Sequence, residues 1–193
     1  MRFDELNQLK RFFSVMELPQ KEKDKRVSLG MLFYDAFFYV FLLMQADVKV
    51  NGDIDKDFYI RSLDGRIRDV LEDLPYDENY IPQLTEDVIE TTTRHLDEPY
   101  YFSQERALLV AQNEANTVMN RVDFETAKAQ GKKYKRWITE KDFKVRLNHA
   151  LVDEEKIPID EMFHVGEDLM RYPHDYNASP ENTINCRCVC VYE

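Results

Sequence analysis

Apolar positions recur at helical intervals through the first hundred residues, and the period shortens towards the end of the chain. Leu6, Leu9, Phe12 and Phe13 form a short amphipathic stripe closed by Pro19, and the charged stretch from Gln20 to Arg26 reads as an exposed connection. A run from Leu29 to Met44 follows, apolar nearly all round, carrying Phe33, Phe37, Phe38 and Phe41 and interrupted by Asp35. It is shorter than the about 20 residues of a membrane span. Asp4, Glu5, Glu17 and Glu22 occupy what would be the basic leader of a signal peptide. The run therefore predicts a core helix over 30–45, enclosed by its neighbours. Asn51-Gly52 marks a turn, and Ile54, Phe58, Leu63, Ile67, Val70, Leu71 and Leu74 return at helical spacing, with Gly65 as a break. Thr85 is placed to cap a helix carrying Val88, Ile89 and Leu96, and Pro99 to Phe102 reads as a joint.

Beyond the joint, Ser103 is expected to cap a long helix with a stripe of Leu108, Ala111, Ala115, Val118 and Val122, ending at Gly131. Lys133 to Ile138 suits a strand. Thr139 and Asp142 read as a capping box opening a helix with Phe143, Leu147 and Leu151 on its face, closed by Pro158. Phe163 and Val165 mark a second strand, and Tyr172 to Asn185 a polar loop. In the last segment Ile184, Cys186, Cys188, Cys190 and Tyr192 alternate with Asn185, Arg187, Val189 and Val191, the signature of a strand. The expected fold is α+β and mainly helical. A helical region over 1–100 precedes a compact unit over 101–193, in which two helices pack on a small sheet closed by the cysteine strand.

Composition bears on function mainly by exclusion. With 193 residues and 44% apolar, the chain can build a core and is not intrinsically disordered. A net charge of −11 repels nucleic acid unless a local basic face is set aside. Between Lys128 and Arg146 eight basic residues stand against Glu140 and Asp142. Lys132, Lys133, Lys135 and Arg136 are the candidates for touching DNA or an acidic partner; the plainer reading is a solvated face.

The three cysteines all fall in the last eight residues, too close to pair with one another, so a reduced, cytosolic setting is expected. Two thiolates two residues apart, completed by an imidazole, make a zinc donor set; His149, Cys186 and Cys188 are the candidates. The competing reading is an inward strand face lined by small apolar groups. Paired Cys-x-x-Cys knuckles are absent, as is any nucleophile signature around a serine or cysteine, so catalysis is not expected. Glu114, flanked by Asn113 and Asn116, is a polar anchor or a solvated helix position.

The order of features from Arg106 to Cys188 resembles the C-terminal domain of the bacteriophage Mu F-like minor head proteins, the phage head morphogenesis family. An Arg-Ala opening leads into a helix with Asn113-Glu114, followed by Lys135-Arg-Trp137, Thr139 with Asp142, and Val145-Arg146 ahead of His149. Ile157-Pro-Ile-Asp-Glu-Met-Phe163, Gly166, Tyr172-Pro173 and Asn185-Cys-Arg-Cys188 complete it. Two departures stand out: Asp153 is followed by Glu154 where the family has Gly, and Gln112-Asn113 replaces its Arg-Thr. The resemblance implies a non-enzymatic virion component, made in the host cytoplasm, whose partners are the portal protein, other head proteins and packaged DNA, with no membrane. It makes Glu114, Trp137, Asp142, Arg146, His149, Phe163, Asn185, Cys186, Arg187 and Cys188 the structural motif. No cofactor is implied, zinc being the one candidate. The alternatives are a small metal-dependent hydrolase or nuclease using His149 and the cysteines, and a prophage-derived effector that retains the domain.

Overall fold

The structure, a computed structural model, describes residues 2–77 and 79–193. Its elements run α1 (Arg2–Ser14), α2 (Gln20–Asn51), α3 (Lys56–Val70), α4 (Tyr80–Thr93), a 3-10 turn (Pro99–Phe102), α5 (Gln104–Ala129), β1 (Tyr134–Ile138) and α6 (Leu147–Leu151). They end with β2 (Lys156–Pro158), β3 (Phe163–Val165), β4 (Asp168–Met170), α7 (Pro180–Thr183) and β5 (Val189–Tyr192). The fold is α+β and mainly helical, as the periodicity predicts. Packing divides it into two units: residues 29–112, and the chain's two ends, up to Ser28 and from Asn113 to Glu193.

The unit of residues 29–112 buries Phe33, Phe37, Val40, Phe41 and Met44 of α2, Leu63 and Ile67 of α3, and Ile81 and Ile89 of α4. Arg106 is enclosed here. Its Nη1 donates to Thr92 Oγ1 (2.7 Å) and Tyr101 O (2.8 Å), its Nη2 to Val88 O (3.3 Å), and it lies over the Phe41 and Tyr101 rings. Burial lowers its pKa to about 10.

Several local expectations are corrected. The charged stretch from Gln20 to Arg26 is no connection but the first turns of α2. The resulting helix of 32 residues is long and apolar enough to cross a membrane by length and composition, though over half of its apolar window is buried in the protein. Gly65 does not break α3; it sits exposed inside it. Thr85 caps nothing: α4 begins five residues earlier, with Pro82 in the first turn where its missing N–H costs no bond, and the Thr85 hydroxyl donates to Ile81 O. The same helix stops at Thr93, short of Leu96. Ser103 does cap α5, its Oγ accepting from Arg106 N (3.1 Å), and Gly131 follows its end at φ 75°.

In the other unit β1 is the centre of an antiparallel sheet ordered β2-β1-β5, with Trp137 opposite Cys190 and Lys135 opposite Ile157. β3 and β4 form a separate hairpin, Phe163 opposite Met170. Its turn uses Gly166 at φ 64°, where an added Cβ would come within 3.0 Å of Asn148 Nδ2. The core gathers Trp137, Val152, Phe163, Val165, Met170, Cys186 and Cys188.

The expected capping box at Thr139 and Asp142 does not form. Lys141 adopts φ 53°, which no helix tolerates, Thr139 Oγ accepts from Lys141 N (3.3 Å), and the Asp142 carboxylate is taken by Arg187. Only α6 is helical there. Phe143, Leu147 and Leu151, the expected inner face, are 94%, 78% and 78% exposed. The closing strand is shorter than the alternation implies, because Cys186 and Cys188 lie before β5 in irregular backbone.

Candidate metal centre

A backbone turn and the hydrogen bonds around it deliver the cysteines to His149. Asn185 takes φ 59°, turning the chain after α7, and its N–H donates to Asn113 Oδ1 (2.8 Å). The Cys186 carbonyl accepts from His174 Nε2 (2.7 Å) and Asn116 Nδ2 (3.3 Å). Arg187, between the cysteines, points outward into a two-pronged pair with Asp142, both contacts 2.7 Å. That pair holds the Asp142 carboxyl down at about 2. Arg146 Nη2 donates to Ile184 O, pinning the approach to the same turn.

His149 is oriented with equal care. Asn182 donates its Nδ2 to Val165 O (3.0 Å) and Asp168 Oδ2 (2.7 Å), neither of which can donate back, so its Oδ1 must face His149 as an acceptor. Asn148 Nδ2 donates to the same oxygen. His149 therefore carries its proton on Nε2, 3.3 Å from Asn182 Oδ1, and aims the Nδ1 lone pair at Cys188 Sγ (3.4 Å) and Cys186 Sγ (3.5 Å). Trp137 walls the ring edge-on at 5.5 Å, and Phe163 backs the indole at 5.2 Å.

The sulfurs divide one charge. Burial pushes the Cys186 thiol up, but the hydrogen bond from Cys188 and the neighbouring His149 and His174 rings outweigh it, leaving Cys186 well below the ordinary thiol value. Its hydrogen bond to Cys186, with burial, pushes Cys188 far up. The backbone N–H of Cys188 also donates to Cys186 Sγ (3.4 Å). Cys186 Sγ thus accepts from the Cys188 thiol and amide, while the lone pair of His149 Nδ1 faces both sulfurs. All three ligand-type atoms lie within 4.8 Å of one another, and the donor set of two sulfurs and one imidazole suits zinc. The cluster borders a small pocket whose rim includes Glu140, Lys144 and Arg146. Burial raises the Glu140 carboxyl to about 7, and its Oε1 has no hydrogen-bond partner among the described residues.

Of the expected motif residues, His149, Cys186, Cys188, Trp137 and Phe163 share one core, while Asp142, Arg146, Asn185 and Arg187 hold the cysteine segment in place. Glu114 is half-buried on α5, and its neighbours Asn113 and Asn116 reach that segment. The basic strip is corrected more sharply. Lys135 is fully buried, its Nζ donating to Arg171 O (2.7 Å), and burial lowers it to about 8. Arg136 is paired with Glu154 and Glu193, Lys128 with Asp160, and Lys141 with Glu154. Lys132 and Lys133 remain at the surface. Residues not singled out from the sequence complete the site: Asn182, Asp168, His174 and Asn116. Lone Asn and Asp residues give no periodic signal, although Asn182 of α7 and Asp168 of β4 decide which way His149 faces.

Compared with known families, residues 78–191, more than half of the chain, match the family described as phage Mu protein F like protein. No match was found among curated proteins or among solved structures.

Proposed function

The chain belongs to the phage Mu protein F-like family, a phage head morphogenesis family, and from that premise we propose that it is a minor head protein acting at the portal vertex of the particle. The observation that carries this reading is the family match itself, which takes in every motif residue from Glu114 to Cys188. The geometry supports an assembly role over turnover, because the motif residues are spent on each other. His149 and both cysteines are buried, and the surrounding polar groups anchor backbone. Phe143, Leu147 and Leu151 offer exposed apolar surface to another head protein. Of the four candidates for contact with packaged DNA, Lys132 and Lys133 stay at the surface, since Lys135 is buried and Arg136 is paired with carboxylates.

The test is recovery with particles. The protein, carrying an affinity tag, is expected in purified heads and in complexes with portal protein formed in the host cytoplasm. A double Phe143→Ser, Leu147→Ser chain should fold normally yet fall several-fold in particle incorporation. Absence from both heads and portal complexes overturns the reading. A second reading, metal-dependent hydrolysis, is favoured by one observation: the Glu140 carboxyl, raised to about 7, shares the pocket with His149, Cys186 and Cys188.

A further inference from the structure

We propose that His149 Nδ1, Cys186 Sγ and Cys188 Sγ bind one zinc ion, a clasp that ties the cysteine segment to α6. The argument is geometric. For zinc bonds of roughly 2.0–2.1 Å to imidazole and about 2.3 Å to thiolate, tetrahedral angles put nitrogen and sulfur about 3.5–3.6 Å apart. The two separations here are 3.4 and 3.5 Å, so an ion fits with small adjustments. His149 is already in the tautomer a metal requires. Its Nε2–H is spent on Asn182 Oδ1, and Asn182 is itself fixed by Val165 O and Asp168, the outer support that metal-ligating histidines characteristically have. The Cys188 amide donates to Cys186 Sγ, an interaction that favours a sulfur bearing negative charge.

The donor set selects the ion. Two soft sulfurs with an imidazole favour zinc over magnesium or calcium, which take oxygen. Two thiolates balance the double charge of the ion, so binding releases the remaining thiol proton to solvent and leaves the buried site neutral. Protein ligands fill three positions. The fourth faces the pocket, where Glu140 Oε1 is buried without a partner and lies outside the ligand cluster. A water there completes the tetrahedron and donates to that oxygen. This inference stands apart from the assembly reading, which survives its failure.

The test uses the full chain purified under reducing conditions. Reconstitution with zinc is expected to leave about one ion per chain after desalting, and cobalt(II) in its place should give the near-ultraviolet thiolate-to-metal band of a tetrahedral site. Cys190→Ser should keep both properties, while Cys188→Ser and His149→Gln should weaken zinc binding at least tenfold in chelator competition. Because a ligand variant can fail to fold, the wild-type cobalt spectrum and stoichiometry decide by themselves. Well under one-tenth of an equivalent with no thiolate band overturns the proposal, as does equal loss of metal in Cys190→Ser.

Discussion

Arg26 stands in a run of charged residues, yet its guanidinium is fully enclosed. Nε donates to Asn116 Oδ1 (3.2 Å) and Nη2 to Asn120 Oδ1 (2.9 Å) and Asp123 Oδ2 (2.8 Å). Asn116 and Asn120 in turn reach Cys186 O and Pro173 O with their amide nitrogens, so one arginine orients two side chains that hold the C-terminal loops. Removing it leaves two buried amides and a carboxylate short of a donor. Arg26→Ala should therefore cost about 3–5 kcal/mol in urea unfolding, whereas Lys25→Ala, three positions from its exposed partner Glu22, should move stability by under about 0.5 kcal/mol. Arg26→Lys should recover only part, since an ammonium cannot span three acceptors in a plane.

At the scale of elements, what was legible in the sequence was whatever repeats. The stripe of α5, from Leu108 through Val118, declares itself by period, and the strand at Trp137 by its short, mixed composition. So did the cysteine alternation, which brings both sulfurs to one core even though Cys186 and Cys188 precede β5. Single polar residues give no such signal because their partners are remote in sequence. Arg26 meets residues 90 and more positions away, and Asp142, read as a local cap, pairs with Arg187. The two glycines show the same contrast. Gly65 lies in the exposed interior of α3 with nothing within 4 Å of an added Cβ, so Gly65→Ala should stabilise by about 0.5–1 kcal/mol. Gly166 sits at φ 64° against Asn148, the neighbour of His149, so Gly166→Ala should cost about 1–2 kcal/mol; thermal unfolding of the two variants should move in opposite directions.

For the molecule as a whole, one buried and one half-buried carboxyl set opposite pH limits, and difference measurements on metal-free protein separate them. Burial would raise Asp175, but Arg171 donates Nε (2.7 Å), Nη2 (2.6 Å) and its backbone N–H (2.9 Å) to the carboxylate, leaving it below the ordinary 3.8. In acid the unfolded chain takes up a proton that the folded carboxylate refuses. The stabilisation this pair provides is therefore complete above about pH 4 and is lost as pH falls through the lower folded value. The advantage of wild type over Asp175→Asn should shrink across that range. Glu140 behaves in reverse. Its folded value of about 7, against an ordinary 4.5, means the folded chain keeps a proton that the unfolded chain has already released. Stability falls as pH rises from about 4.5 to 7, by about 1–2 kcal/mol once partial exposure is allowed for. Glu140→Gln removes that loss, so the variant should match wild type near pH 4.5 and exceed it by that amount above pH 7. A constant difference across the interval, measured by urea unfolding, would show that Glu140 is ionised throughout and that its pocket is wetter than its buried, unpartnered oxygen implies.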